Sequence, residues 1–366
     1  MPPLRPLRRV LVTGGAGFIG STLLRRLLER PATRVLNYDA FTYAGVDASV
    51  APLRPDLRYE EVRADVVDAA ALAYAVGRFD PDVVLHLAAE SHVDRSIADP
   101  ERFVRTNVEG TATLLRVWRE HVGGLGPGEA ARRLLVHVST DEVYGPISPP
   151  KAARVGDPYR PSSPYSATKA AADHLVGAWR RTYGLSAVIV HPTNNHGPRQ
   201  FPEKLVPVAT LRALRGEPIP LYGDGSQVRD WLHVDDCVAG LIAAAERGEP
   251  GATYHLAGGP GDGAAPTEEW SNRRVVEAIC DAVDQVAPDG GASGGPRRRL
   301  IEHVADRPGH DARYALDSAA SRRELGWRPR VALADGLAAT VRWYAQNAAW
   351  VAEAARAGEG PQERRV

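Results

Sequence analysis

The sequence predicts an α/β fold: a doubly wound, mostly parallel sheet followed by a smaller C-terminal α/β lobe. Three observations carry that expectation. Short apolar runs alternate with helical patterns through residue 195, as parallel strands joined by crossover helices require. The first of those runs, Val10-Leu11-Val12, passes at once into a glycine-rich turn and a helix. Beyond residue 196 the regular rhythm weakens into loop phrases joined by shorter elements.

In the first unit the strand leads through Gly14-Gly15-Ala16-Gly17-Phe18-Ile19-Gly20 into a helix over 21–28. This order marks a dinucleotide-binding Rossmann crossover: glycines let backbone approach a pyrophosphate, and the helix N-terminus offers N–H groups to the anion. The second strand, 34–38, ends in Asp39, about twenty residues past the glycines, where a carboxylate hydrogen-bonds the adenosine ribose and repels a 2′-phosphate. NAD is therefore favoured over NADP. A third strand over 59–64 ends in Asp65-Val66, a suitable edge for adenine. A helix over 69–79 returns the chain to a fourth strand over 82–89, and the phrase 90–96 after it faces the cleft. A single helix is predicted over 100–121, with a surface connection over 123–132.

Two phrases then carry chemistry. Ser139-Thr140-Asp141-Glu142-Val143-Tyr144-Gly145 follows the apolar strand 134–138, and in an open parallel sheet that end is where ligands bind. Tyr165 and Lys169 stand at i and i+4 on one face of the next helix. An ammonium beside a phenol favours the phenolate, which predicts a lowered Tyr165 pKa and a base near neutral pH. The chain has only three lysines, Lys151, Lys169 and Lys204, among 45 basic residues, so Lys169 reads as a position that Arg cannot serve. An Asp-Glu pair alone reads as an acidic turn; beside the Tyr-Lys pair it reads as acid–base machinery.

The remainder is a loop over 145–164, a strand over 187–190, an amphipathic helix over 238–247 and a helix over 273–285. Gly/Pro/Ala-rich tracts at 258–266 and 288–296 read as flexible insertions, and 346–366 as a frayed tail. The expected domains are 1–195 with 233–258 returning to it, and a substrate lobe over 196–232 and 259–345.

Composition sets the outer limits. Balanced charge, 45 basic against 45 acidic residues, gives no global field for nucleic acid or anionic membrane. No stretch reaches membrane-spanning length, and Arg297-Arg298-Arg299 reads as a solvated loop. Cys237 and Cys280 lie far apart in apolar helical patterns, so they read as reduced core residues of a cytoplasmic protein, with no metal site.

Taken together, the glycine turn, the Tyr-x-x-x-Lys pair, Ser-Thr-Asp-Glu-Val-Tyr-Gly, Phe201-Pro202-Glu203-Lys204-Leu205 and Ala305-Asp306-Arg307-Pro308-Gly309-His310-Asp311 resemble the extended short-chain dehydrogenase/reductase superfamily, and within it the nucleoside-diphosphate-hexose 4,6-dehydratases. The resemblance runs from Arg9 to Asn347. It implies loss of water across C5–C6 of a hexose through transient oxidation at C4, which makes the C5 hydrogen acidic, followed by hydride return to C6. In that scheme Tyr165, assisted by Lys169 and Thr140, takes the C4 hydroxyl proton, Glu142 removes the C5 proton, and Asp141 protonates the departing C6 hydroxyl.

The same resemblance implies that Gly14, Gly17, Phe18, Ile19 and Gly20 hold NAD together with Asp39, Ala40, Phe41 and Thr42. Asp65, Val66, Leu87, Ala88, Ala89 and Thr106 continue that site, with Asn195 at the nicotinamide end. For the substrate it implies Ser91, Thr140 and Asn194 at the sugar or its phosphates, Lys204 and Leu205 beside the nucleotide, and Pro220 and Tyr222 around the base. Arg229 and Arg307 are suited to the diphosphate, because a guanidinium fork matches phosphate oxygens, and Asn272 and His310 complete the pocket. The implied substrate is dTDP-glucose and the implied assembly a homodimer. A dehydratase or 4-epimerase of a UDP-, GDP- or CDP-sugar is the alternative, and a non-catalytic NAD-binding regulator the alternative of another class. His196 stands where the family more usually has Tyr.

Overall fold

The computed structural model describes residues 4–258, 269–288, 295–307 and 309–358. Seven strands make the main sheet: β1 (Arg9–Thr13), β2 (Arg34–Asp39), β3 (Tyr59–Arg63), β4 (Val83–His86), β5 (Leu134–Val138), β6 (Ala187–Pro192) and, after three strands of the lobe, β10 (Thr253–Leu256). Their order is β10-β6-β5-β4-β1-β2-β3, and every pairing is parallel. Crossovers run one way from β1 to β3 and the other way from β4, so the topology switches between β1 and β4, where the carboxyl ends open a crevice.

The strands are apolar on both faces because helices cover both. Val10, Val12, Val136 and Val188 pack towards the helices Phe18–Leu28 and Val234–Arg247. Leu11, Leu36, Val84 and Leu135 pack towards Ala69–Phe79, Gly110–Gly123 and Pro164–Tyr183. Cys237 lies in the first of these cores and Cys280 in that of the lobe; both are buried free thiols. The lobe is built from β7 (Asn194–His196), β8 (Ile219–Tyr222), β9 (Val228–His233), β11 (Glu269–Ser271) and β12 (Ile301–Val304), as two small sheets ordered β11-β9-β7 and β12-β8. Its core joins Val206, Leu221, Val275, Ile279 and Leu337.

Three expectations are corrected. The helix over 100–121 is interrupted: Pro100–Phe103 passes through a π-helical turn, Val104–Glu109, into Gly110–Gly123. The widened turn carries Asn107, whose amide accepts from the Glu90 N–H (2.9 Å) and donates to the Glu90 carbonyl (3.0 Å). Arg297 is not solvated but 1% exposed, its guanidinium donating to the Ala213 carbonyl and the Asp284 carboxylate. The arginine-rich run is thus pinned at one end, and Arg298 pairs with Asp281 at the surface.

The presumed tail is also structured: Ala348–Gly358 is a helix. Trp350, Val351 and Ala354 form its buried stripe, the Trp350 indole donates to Ser49 Oγ (2.9 Å), and Glu353 accepts from the Ala48 N–H (2.7 Å). High alanine content disguised an apolar face. Residues 359–366 lie outside the described residues, as do 259–268 and 289–294, on which the two predicted insertions mostly fall.

Truncating this buried aromatic anchor tests the docking of the last helix. Trp350→Ala should lower unfolding stability by about 3 kcal/mol, the lower end for a buried Trp; a urea midpoint unchanged from the parent protein would show that the helix contributes nothing.

Candidate active site

A cleft of about 550 Å³ runs across the carboxyl ends of the main sheet to the lobe. At one end the chain leaves β1 through Gly14, whose φ of +73° is in the left-handed region; a Cβ there would stand 2.6 Å from the Ala88 nitrogen. At Gly20 a Cβ would meet the Gly14 carbonyl at 2.1 Å, so only glycine lets the helix Phe18–Leu28 seat against its own turn. Asp39, at the end of β2, accepts from the Ala16 N–H (2.8 Å) and the Phe41 N–H (2.7 Å). The carboxylate thus braces the glycine turn from the neighbouring strand. This bare backbone cradle, with a helix N-terminus above it and a carboxylate beside it, fits a dinucleotide.

The catalytic end is built where β5 stops. The Thr140 hydroxyl accepts from the Glu142 N–H (3.3 Å), capping a single 3₁₀ turn over Asp141–Tyr144 that swings Asp141 and Glu142 to the cleft. The adjacent helix Pro164–Tyr183 starts with Pro at its first position and a reciprocal Ser163/Ser166 cap. One turn in, the Lys169 ammonium donates to the Val138 carbonyl (2.7 Å), fixing the helix to the end of β5. Asp173, a turn further, accepts from the Ser139 hydroxyl (2.7 Å) and lies 3.2 Å from His137 and 3.0 Å from His191.

Burial dominates the electrostatics. It pushes Asp141 up to about 7, with the Glu142 charge adding to the rise. Glu142 is also raised, by burial first, while Lys204, Arg229 and Arg307 hold the rise in check. Lys169 falls to about 8, burial outweighing the attraction of Asp173. Tyr165 departs from expectation: burial, then the Glu142 charge, pushes its phenol well above the ordinary value. The raising influences of burial and of the Glu142, Asp141 and Asp173 charges outweigh the predicted lowering.

The lobe supplies cations opposite. Lys204 is partly buried and donates to the Ser91 carbonyl (2.6 Å). Arg229 lies over the Tyr314 ring and donates to the Asp311 carbonyl (2.9 Å). Arg307 pairs with Asp94 (3.3 Å), and Tyr222 and His310 stand edge to face beside it. Asn272 begins the helix Asn272–Val286 and faces the same cleft.

Every predicted site residue lines this cleft except Phe41, whose ring lies under the Arg63 guanidinium at 4.1 Å. Glu203, Asp311 and Tyr314 also line it but were missed. The first two sit inside the phrases that flagged Lys204 and His310, whereas nothing in the sequence marks Tyr314. Asp173 was missed too, although its place four residues after Lys169 on the same helix face was a usable signal. His196 is fully buried against Trp231 and His233, so the departure at that position falls in the core.

Known proteins are similar to this chain in sequence and architecture. The family model for GDP-mannose 4,6 dehydratase matches residues 11–340. The dTDP-glucose 4,6-dehydratase of Salmonella typhimurium is 43% identical over 352 residues, 94% of either chain. That of Neisseria gonorrhoeae is 45% identical over 341 residues, covering 93% of this chain and 96% of the relative. The crystal structure of the Streptomyces venezuelae dTDP-glucose 4,6-dehydratase, with NAD and TYD bound, superposes with a TM-score of 0.82 at 43% identity, covering 93% of this chain and 98% of its own. With matches of this extent joined to a glycine cradle, a Tyr-Lys pair and an Asp-Glu turn in one cleft, the chain belongs to the nucleoside-diphosphate-sugar 4,6-dehydratase family, on the branch of the dTDP-glucose 4,6-dehydratases.

Proposed function

We propose that the protein converts dTDP-glucose to dTDP-4-keto-6-deoxyglucose with loss of water, as a step in deoxysugar biosynthesis. The observation that carries this reading is the meeting of Asp141 and Glu142 with Tyr165 and Lys169 in one cleft. An epimerase needs the Tyr-Lys pair but has no use for an acid and a base of elimination. A non-catalytic NAD-binding regulator would not need either pair.

NAD, when bound on the glycine cradle, supplies the hydride acceptor for C4 and the hydride that returns to C6. Gly14, Gly17 and Gly20 keep the backbone open to its pyrophosphate, and Asp39 faces its ribose and disfavours a 2′-phosphate there. Tyr165 receives the C4 hydroxyl proton, with Thr140 beside it. The new ketone acidifies C5–H, and Glu142 takes that proton; its raised pKa makes its carboxylate a stronger base than an ordinary one. Asp141, poised near 7, carries the proton that leaves with the C6 hydroxyl as water. Glu142 then returns its proton to C5. Arg229 and Arg307 would grip the diphosphate and Tyr222 would cover the base, while Lys204 neutralises charge near Glu142.

The assembly is proposed as a homodimer, paired through the helices that follow β4 and through Pro164–Tyr183. Ile97, Val104 and Tyr183 on those elements are each close to half exposed and offer apolar surface. No helix among the described residues is long and apolar enough to cross a membrane. The two free cysteines fit a reducing, cytoplasmic location.

Incubation with dTDP-glucose, UDP-glucose, GDP-mannose or CDP-glucose, read by product mass, tests the reaction and nucleotide together: one water should be lost from dTDP-glucose, and an unchanged mass with inverted stereochemistry would replace this reading with epimerisation. Glu142→Gln should retain nicotinamide reduction yet slow water loss by roughly 10²–10⁴-fold, and full turnover would remove Glu142 as the C5 base. Because Glu142 must be ionised and its pKa is raised, kcat/KM should fall with decreasing pH at values above the ordinary Glu range of about 4.3. An acid limb within the ordinary range would count against that assignment.

A further inference from the structure

The turn Asp141–Tyr144 carries both carboxyls of the cleft, and what aims them lies in its backbone. Asp141 Oδ1 accepts from the Thr140 hydroxyl beside it (3.2 Å), and Asp141 Oδ2 has no partner among the described residues. The direction of Asp141 therefore follows the rotation of the turn.

That turn is a single 3₁₀ loop of chain, closed by the Gly145 N–H donating to the Glu142 carbonyl (3.2 Å). One such turn has poorer hydrogen-bond geometry than an α-helix, so its orientation comes from what it is tied to. Its first end is tied to the sheet: the Ser139 N–H donates to the Val190 carbonyl (2.8 Å), and the Ser139 hydroxyl to Asp173 (2.7 Å). Thr140 continues that extended backbone. Beyond it, the Arg160 N–H donates to the Val143 carbonyl (2.9 Å), which joins the turn to the following loop.

The last residue of the turn makes the second tie to the sheet. Tyr144 is 3% exposed, and its hydroxyl meets His255 Nε2 at 2.8 Å. His255 belongs to β10, the edge strand, is 1% exposed, and has its Nδ1 3.1 Å from the Asp317 carbonyl. A carbonyl only accepts, so in the neutral ring Nδ1 carries the proton and Nε2 receives the Tyr144 hydroxyl. Burial, with His191 adding to it, keeps the ring neutral by pushing it down to about 3. The Tyr144 ring is enclosed by Tyr159, His191 and His255, with centroids 5.1, 5.4 and 5.3 Å away. Side chains three apart in a 3₁₀ turn eclipse, so the bond that fixes Tyr144 also fixes the rotation of Asp141.

We propose that Tyr144 and His255 are positioning residues for elimination, an inference that rests on the dehydratase reading. Their bond sets the turn so that Asp141 meets the C6 hydroxyl and Glu142 the C5 hydrogen. Oxidation does not depend on it. Tyr165 and Lys169 stand on another helix, fixed to β5 through the Val138 carbonyl, and Thr140 is held with the strand end. Loss of the bond thus slows one half of the reaction and spares the other.

Rapid mixing of NAD-loaded enzyme with dTDP-glucose separates the halves, because nicotinamide reduction reports oxidation and product mass reports water loss. Tyr144→Phe keeps the ring and removes one oxygen, whereas His255→Leu removes the acceptor. Each should slow water loss roughly 10–100-fold, as a small misplacement of reacting groups does, while nicotinamide is reduced at close to the parent rate and accumulates in its reduced form. His255→Gln, whose amide oxygen stands in for Nε2, should recover most of the water loss that His255→Leu forfeits. A merely structural loss would slow both steps together. The proposal is overturned by a Tyr144→Phe enzyme that loses water at the parent rate, by one whose nicotinamide reduction falls in step with water loss, or by His255→Gln proving no better than His255→Leu. Each of these leaves the dehydratase reading intact so long as the parent protein removes water from dTDP-glucose. A parent protein that does not overturns that reading and the positioning role with it.

Discussion

The bond from the Lys169 ammonium to the Val138 carbonyl is the constraint on which the rest of the site depends. It joins the second turn of one helix to the last residue of the strand beside it, and so fixes the height of Tyr165 above the sheet relative to Thr140, Asp141 and Glu142. A buried ammonium is costly without compensation. The compensation comes from Asp173 one helical turn on, which is itself held by Ser139, His137 and His191. Ser139 belongs to the same strand end as Thr140. The polar groups behind the cleft are therefore one connected brace spanning β5, β6 and the helix Pro164–Tyr183.

The same burial that makes this brace rigid sets the direction of nearly every titration around it. It lowers Lys169 and raises Tyr165, Asp141 and Glu142, in each case favouring the neutral form. For two adjacent carboxyls the result is useful, since Asp141 comes to rest near neutral pH while Glu142 is restrained by three cations of the lobe and its approaches. Two chemically similar side chains are thereby given different surroundings, which suits the proposed division into a proton carrier and a base. For Tyr165 the result is a phenol raised above its ordinary value, the Glu142 charge adding to burial.

Much of this was legible in the sequence because its signals are local. The glycine turn, Asp39 at the next strand end and the Tyr-Lys pair each follow from spacing of a few residues, and a parallel sheet brings all strand ends to one edge. What escaped depends on distant contacts. The docking of Ala348–Gly358 needs Ser49 and Ala48, some three hundred residues away, so its alanine-rich stripe looked like a tail. Arg297 is buried only because Ala213 and Asp284 happen to receive it. The raised phenol of Tyr165 was misjudged for the same reason: one helical turn puts Lys169 on its face, but the burial and the carboxylates that outweigh it come from other elements.

The division between sheet and lobe also ties binding to chemistry. The main-sheet side carries Asp141, Glu142 and Tyr165, whereas Arg229 and Arg307 line the cleft from the lobe. Those two cations, with Lys204, are what hold the Glu142 pKa down. In the proposed binding mode, a diphosphate on the two arginines would draw on the same positive charge and add negative charge of its own. Both effects act on Glu142 in one direction, raising its affinity for a proton. The proposed C5 base would therefore be weakest in the open cleft and strengthened by the arrival of a diphosphate sugar.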